Sequence, residues 1–317
     1  MSERCKIFID GSAGTTGLRI HDRLAGRPGI TLLSIDEADR KNIEARAAVI
    51  NQSDLTFLCL PDAAAREILP LIRPEVRVLD TSTAHRTAPG WVYGLPELHG
   101  QRVRIASANR VAVPGCHATG FITLAAPLVA LGLASADTPF ACYSLTGYSG
   151  GGKSMIADYQ AADRPAALDA PRPYGLALHH KHLPEMQAVA GLSAPPLFCP
   201  IVADYYSGME TILPLQMSAL KADAATVARE LAGYYAGERM ITVHPLGEGT
   251  QNGFLASNTL SGSDRLEIFC LPSPDGSQMQ LISLFDNLGK GSSGAALQCM
   301  NLMLGLEETE GLAMDPA

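Results

Sequence analysis

Residues 6–10, KIFID, form a short apolar run that passes directly into GSAGTTG at 11–17 and then into the helical spacing Leu18, Ile20, Leu24. A strand, a glycine-rich turn and a helix in that order leave few folds open. Further apolar runs follow at ITLLSI (30–35), LTFLCL (55–60) and VRVLD (76–80), separated by helical or turn segments such as 63–69. This alternation predicts a doubly wound parallel sheet of Rossmann type. Within the first turn, Gly11, Gly14 and Gly17 make GxxGxxG, a variant of the dinucleotide fingerprint. Glycines there let the backbone turn tightly and approach a pyrophosphate, whose charge meets the helix N-terminus. Ser12 belongs to the same turn, and Thr15 and Thr16 add hydroxyl donors. Past the second strand, Asp36 stands where a carboxylate would bond a ribose 2′-hydroxyl. Arg40 and Lys41 stand where bases would hold a 2′-phosphate, so residue types alone leave NAD and NADP both open.

The texture changes after residue 131. PFACYSLTG (139–147) reads as a strand ending in a glycine loop, and residues 163–200 are proline-rich with little periodicity. Runs at 198–206, 211–217, 241–246, 265–271 and 279–287 then predict a mostly antiparallel sheet, with a helix near 224–235 and a last helix at 294–304. The second domain is therefore expected to be α+β. A net charge of −8 over 317 residues argues against a polyanionic partner, since nucleic acid requires a basic face. Seven scattered cysteines, an odd number without CxxC spacing, suit a reducing cytoplasm and offer no structural zinc motif, so no metal is expected. No run approaches the twenty or so apolar residues of a membrane span, and no membrane partner is expected.

Between the two domains lies VAVPGCHATG (111–120), which sets Cys116 between a Pro-Gly turn and an apolar helical segment. A thiol at a helix N-terminus sits among unpaired backbone N–H groups at the positive end of the macrodipole, which favours the thiolate. Cys116 is thus a candidate nucleophile, with a small buried hydrophobe as the plain alternative. LHHKHLPE (178–185) concentrates His179, His180 and His182 with Glu185, side chains suited to proton transfer near neutral pH or to an exposed basic turn. Arg86, in STAHR past the strand VRVLD, lies where open α/β sheets bind ligands and offers a guanidinium to phosphate or carboxylate. GYSGGGKS (147–154) formally satisfies a nucleoside-triphosphate phosphate loop, yet no βα repeats follow to complete that sheet. We read it as a loop whose glycines let backbone amides or Lys153 approach a substrate.

Taken in order, GSAGTTG, DTSTAHR, VYGLPEL, VPGCHATG, TGYSGGGK, HHKHLPE and DNLGKGSSGAALQCMNLMLG resemble the shorter form of the N-acetyl-gamma-glutamyl-phosphate reductase family over nearly the whole chain. The resemblance implies that Cys116 is the nucleophile and that His180 is the acid/base, with His182 and Glu185 near the substrate. It implies NADP as cofactor, which favours Arg40 and Lys41 over Asp36, and a final helix that returns to the first domain, with Asn287 near the nicotinamide. The expected division is 1–116 for the dinucleotide, 117–287 for catalysis, and 288–317 for the returning helix. The implied reaction is reduction of N-acetyl-L-glutamyl 5-phosphate to the 5-semialdehyde through a Cys116 thioester. Arg86 and Lys153 are expected to contact the anionic substrate, and the protein to be a cytoplasmic homo-oligomer with a small-molecule substrate. An aspartate-semialdehyde dehydrogenase would use the same chemistry on a shorter substrate.

Overall fold

The protein was analysed as a computed structural model that describes residues 5–315. Two compact units are present: the chain up to Pro114 together with Ser292–Leu312, and Gly115–Gly291 with the residues from Ala313 onward. The first contains β1 (Cys5–Asp10), α1 (Thr15–Leu24), β2 (Ile30–Leu32), α2 (Ile43–Ile50), β3 (Leu55–Leu58), α3 (Asp62–Ile68) and β4 (Arg77–Asp80). It continues with β5 (Val92–Tyr93), α4 (Gln101–Ser107) and β6 (Arg110–Ala112). The strands form one sheet in the order β2-β1-β3-β4-β6-β5, parallel throughout.

Both faces of this sheet are buried, which explains why its strands read as continuous apolar runs rather than alternating ones. On one face Phe8, Leu58 and Val78 pack with Ala47, Ile50 and Ile68 of α2 and α3. On the other, Ile7, Ile9, Phe57 and Leu79 meet Ile20 and Leu24 of α1 and also Ala295, Leu297 and Met300 near the C-terminus. The C-terminal segment thus returns to the first unit, as the resemblance implies. Gly11 turns the chain with φ +89°, and a Cβ at Gly17 would run into the Gly11 carbonyl oxygen. Only glycine at position 17 lets α1 lie this close to the turn.

The second unit begins with α5 (Cys116–Ala130), β7 (Ala141–Gly147), α6 (Gly152–Gln160), β8 (Arg172–Pro173), α7 (Leu183–Ala190), β9 (Leu197–Ala203) and β10 (Met209–Gln216). It ends with α8 (Ala224–Tyr234), β11 (Ile241–Val243), β12 (Leu266–Pro272) and β13 (Gln278–Phe285); α9 (Gly294–Leu304) belongs to the first unit. The sheet order is β11-β12-β13-β10-β7-β9-β8. Antiparallel pairing dominates, but β7 with β9 and β11 with β12 are parallel, so the sheet is mixed. The first of these parallel pairs spans a crossover carrying α6 and α7, the length of connection that parallel strands require.

Helix α5 lies against this sheet and is buried from His117 through Leu128. Fully burying each large apolar side chain of that stretch is worth about 1.5–3 kcal/mol, enough to hold the helix despite Pro127 in its last turn. Gly120 sets the spacing, since a Cβ there would collide with Thr211 of β10. The unit boundary falls at Pro114/Gly115, so Cys116 opens the second unit rather than closing the first, because the helix it begins is buried on the second sheet.

Candidate active site

The helix α5 starts at Cys116 with Gly115 as its N-cap, and no side chain caps it. The amide of Gly115 donates instead to Glu185 Oε2 at 3.2 Å, across from α7. Glu185 is buried, and its other oxygen lies 4.0 Å from His182 Nε2. One carboxylate therefore ties the Cys116 turn to the histidine segment. Beneath Cys116 runs the chain from Asp286 to Gly291, so close that a Cβ on Gly291 would stand 2.9 Å from Cys116 Cβ. Glycine is required there for the helix start to seat.

Imidazole rings gather about His117, the second residue of α5. The ring of His117 lies 5.6 Å from that of His180 and 5.8 Å from that of His182, centroid to centroid. His180 and His182 are 4.7 Å apart, and Phe198 backs both His117 and His180. The backbone N–H of His182 donates to His180 Nδ1 at 3.2 Å. With Nδ1 accepting, neutral His180 carries its proton on Nε2 and can donate from there. His117 is pulled down to about 3 by burial first, then by neighbouring His180 and Lys181, and so stays neutral. His179 is exposed, outside this cluster of rings. Tyr174, which sequence reasoning missed, bonds His117 Nε2 at 2.7 Å. Its one sequence signal was its place six residues before His180, inside a stretch that had no periodicity to place it.

Other expected residues take more structural positions. Asn287 is buried, its Oδ1 accepting from Gly208 N at 2.9 Å and its Nδ2 donating to Ser149 Oγ at 3.0 Å, so it braces the glycine loop after β7. Lys153 is exposed in the first turn of α6. The phosphate-loop reading of 147–154 finds no support in topology, because β7 lies antiparallel to β10 within a mixed sheet.

In the first unit, Gly11, Ser12, Ala13, Arg40, Lys41 and Arg46 help to line a cavity of about 570 Å³ at the carboxyl end of β1. Gly14, Thr15, Thr16 and Gly17 form the turn into α1 instead, and Thr16 Oγ1 lies 3.2 Å from Ser292 Oγ. α1 begins with no side-chain cap, leaving its first amides available to an anion. Asp36 is exposed and does not line the cavity. Arg46 does, buried in a bidentate pair with Asp10 at 2.7 Å, the one base in the otherwise largely apolar IEARAAVI, which could have flagged it. The glycine turn, free helix amides and bases together fit a dinucleotide.

Arg86 spends Nε on the Val113 carbonyl at 3.0 Å and one Nη on that of Thr81 at 3.1 Å. Its loop is built on Asp80, which accepts from Ser82 Oγ at 2.8 Å and pairs with His85 Nδ1 at 2.6 Å, while His85 stacks on Trp91. Among the described residues no group of three or more His, Cys, Asp or Glu is arranged to hold a metal, and no helix is long and apolar enough to cross a membrane.

A doubly wound unit and a mixed-sheet unit opened by a cysteine helix define the semialdehyde-dehydrogenase class. Residues 6–106 match the model "Semialdehyde dehydrogenase, NAD binding domain" and 116–287 match "Semialdehyde dehydrogenase, dimerisation domain". Solved aspartate semialdehyde dehydrogenases from Vibrio cholerae (TM-score 0.70, 14% identity, 96% of this chain and 99% of that one) and Francisella tularensis (0.69, 12%, 95% and 100%) share the fold. In sequence the chain is 46% identical to N-acetyl-gamma-glutamyl-phosphate reductase 2 of Pseudomonas putida, over 96% of this chain and 98% of that protein. It is 45% identical to the N-acetyl-gamma-glutamyl-phosphate reductase of Rhizobium leguminosarum, over 94% and 98%. The chain belongs to the N-acetyl-gamma-glutamyl-phosphate reductase family.

Proposed function

We propose that this protein reduces N-acetyl-L-glutamyl 5-phosphate to N-acetyl-L-glutamate 5-semialdehyde with NADPH, in arginine biosynthesis. The observation that carries the reading is Cys116 at the uncapped start of α5, with His180 and His182 gathered about the adjoining His117 and Glu185 tied to its turn.

Cys116 attacks the acyl carbon as a thiolate, forming a C–S bond as the C–O bond to phosphate breaks and phosphate leaves. Bound NADPH supplies the hydride that reduces the acyl group held on Cys116. His180 donates from Nε2 to the oxygen that carries negative charge in both tetrahedral species, in the manner of an oxyanion hole. Collapse of the second species expels the Cys116 thiolate and releases the aldehyde. Glu185 holds the His182 segment and the nucleophile's turn in register, and Arg86 and Lys153 supply positive charge for the substrate's anionic groups. Arg40 and Lys41 among the residues lining the cavity, with Asp36 not among them, support NADP over NAD. The three-part division at 116/117 and 287/288 describes the same roles, with the returning helix α9 completing the dinucleotide unit. Self-association accords with the dimerisation-domain match over 116–287, and the proposed reaction is that of a cytoplasmic biosynthetic enzyme.

The test is NADP reduction by the purified protein with N-acetylglutamate semialdehyde and phosphate, run beside aspartate semialdehyde. Activity on the first and not the second is expected. Cys116→Ser should keep NADPH binding and lose turnover by several orders of magnitude, because an alcohol is seldom ionised near neutral pH. Near-normal turnover in that variant sinks the nucleophile assignment.

A further inference from the structure

The cavity of about 570 Å³ in the first unit lies between the turn after β1 and the end of β2, lined from one side by Gly11 and Ser12 and from the other by Ser34 and Ile35. In a doubly wound sheet that place belongs to the ribose next to the adenine, where a carboxylate selects a free 2′-hydroxyl and a base selects a 2′-phosphate. The one acid among the described lining residues is Asp10, and it is already engaged. Arg46 covers it, donating from Nε at 3.0 and 3.1 Å and from Nη2 at 2.7 Å. The pair is buried, Asp10 5% and Arg46 8% exposed, and both residues line the cavity.

Local structure fixes where the pair stands. Asp10 ends β1 on the face of Phe8, two residues earlier, which is the face that packs against α2. Helix α2 is capped by Asn42, whose Oδ1 accepts from the amides of Glu44 and Ala45, and Ala47 and Ile50 seat it on the sheet. Arg46 is thus carried on a rigid element, and the planar fork on a carboxylate fixes its orientation. The pairing uses the Nε–Nη2 edge of the guanidinium. Nη1 makes no hydrogen bond among the described residues and is not sealed in protein. A buried guanidinium on a cavity wall with an edge unused is suited to an anion. Arg40 and Lys41 line the same cavity but are exposed, Arg40 3.8 Å from Glu37, so neither is held in this way.

We propose that Arg46, gripped by Asp10, receives the adenosine 2′-phosphate of the dinucleotide through Nη1, so that the pair converts the one acidic position of the cavity into a determinant for NADP. The inference rests on the reading of NADP as cofactor. Arg46 acts there in two ways. It supplies a fixed donor to the phosphate, and it cancels a carboxylate that would otherwise repel that phosphate at short range.

The experiment is calorimetric titration of the full-length protein with adenosine 2′,5′-bisphosphate and with 5′-AMP, which differ only in the 2′-phosphate and carry no nicotinamide. The unaltered protein should prefer the bisphosphate by at least about tenfold. Asp10→Asn with Arg46→Met removes both charges together, a change that for a buried pair is often neutral in stability. That double variant should bind the bisphosphate about tenfold more weakly, the size of one hydrogen bond between charged groups, and 5′-AMP within about twofold of the parent. Arg46→Met alone leaves the Asp10 carboxylate facing the phosphate and should weaken the bisphosphate several-fold further, so that adding Asp10→Asn restores part of the affinity. A structural role would weaken both ligands alike and give no such rescue. Undiminished preference for the bisphosphate in the double variant, or equal losses for the two ligands, overturns the proposal while the NADP reading stands. A parent that binds the two ligands equally overturns both. Should Arg46→Met fail to fold, the double variant decides alone.

Discussion

Replacing Gly291 by alanine would test where Cys116 sits without altering its chemistry. The new Cβ would stand 2.9 Å from Cys116 Cβ and 3.2 Å from both the Asp286 carbonyl oxygen and Phe285 Cε2. Ordinary contact begins near 3.4 Å, so relief requires about 0.5 Å of movement (3.4 − 2.9). The Asp286 oxygen is main chain and Phe285 is fully buried, which leaves the start of α5 to move. Overpacking of this kind costs about 1–3 kcal/mol, a fall of a few degrees in Tm. Because a misplacement of about 1 Å can cost about a hundredfold in rate, a shift half that size should cost about tenfold in kcat. NADPH affinity should hold, since the glycine turn and its cavity belong to the other unit. The assay is phosphate-dependent NADP reduction with N-acetylglutamate semialdehyde, paired with thermal unfolding. Gly233→Ala is the control: a helical glycine of α8 whose Cβ would meet nothing within 4 Å. It should leave turnover unchanged and stabilise slightly, by roughly 0.5–1 kcal/mol. Turnover by Gly291→Ala within twofold of the parent would refute the claimed contact.

Two further outcomes follow from buried and cavity-lining charge. Glu210 on β10 is buried and raised from an ordinary value of 4.5 to about 7 by that burial. Folding therefore binds a proton between those values, and stability falls as pH rises through them. Glu210→Gln should match the parent in unfolding free energy near pH 4.5 and exceed it increasingly toward pH 8, by up to about 3 kcal/mol; a pH-independent difference in denaturant unfolding would count against the assignment. Arg40→Ala with Lys41→Ala should weaken NADPH binding by at least about tenfold, the size of one charge-assisted contact, and spare NADH. Equal losses for both cofactors in a fluorescence titration would remove these residues from 2′-phosphate recognition.

Much of the molecule was legible from residue order. The strand, glycine turn and helix at the N-terminus were readable because each is a local event: an apolar run, a positive-φ glycine, a 3.6-residue spacing. The last helix, 294–304, and the cysteine helix were equally plain, since their burial is written as apolar residues on nearly every face. The second sheet was read less well. All its strands but β8, which lies in the proline-rich stretch without periodicity, were found, yet the parallel pairing of β7 with β9 depends on which strand becomes whose neighbour, a matter of long-range packing. Asn287 shows the same limit, for its side chain braces the loop after β7 by two hydrogen bonds no local pattern announces.

By itself, the sequence determined four strands of the first sheet, most of the second, the dinucleotide turn and the position of Cys116 at a helix start, because these follow from spacings within ten or so neighbouring residues, while the family followed from the order of motifs along nearly the whole chain. Only the tertiary structure decided that Glu185 reaches the Gly115 amide, that Gly291 presses on Cys116, and that Thr211, Ser144, His117 and Tyr174 are linked in that order by hydrogen bonds. Those contacts join residues far apart in the chain, and hydrogen bonds and excluded volume act between atoms in space, whatever their distance along the backbone.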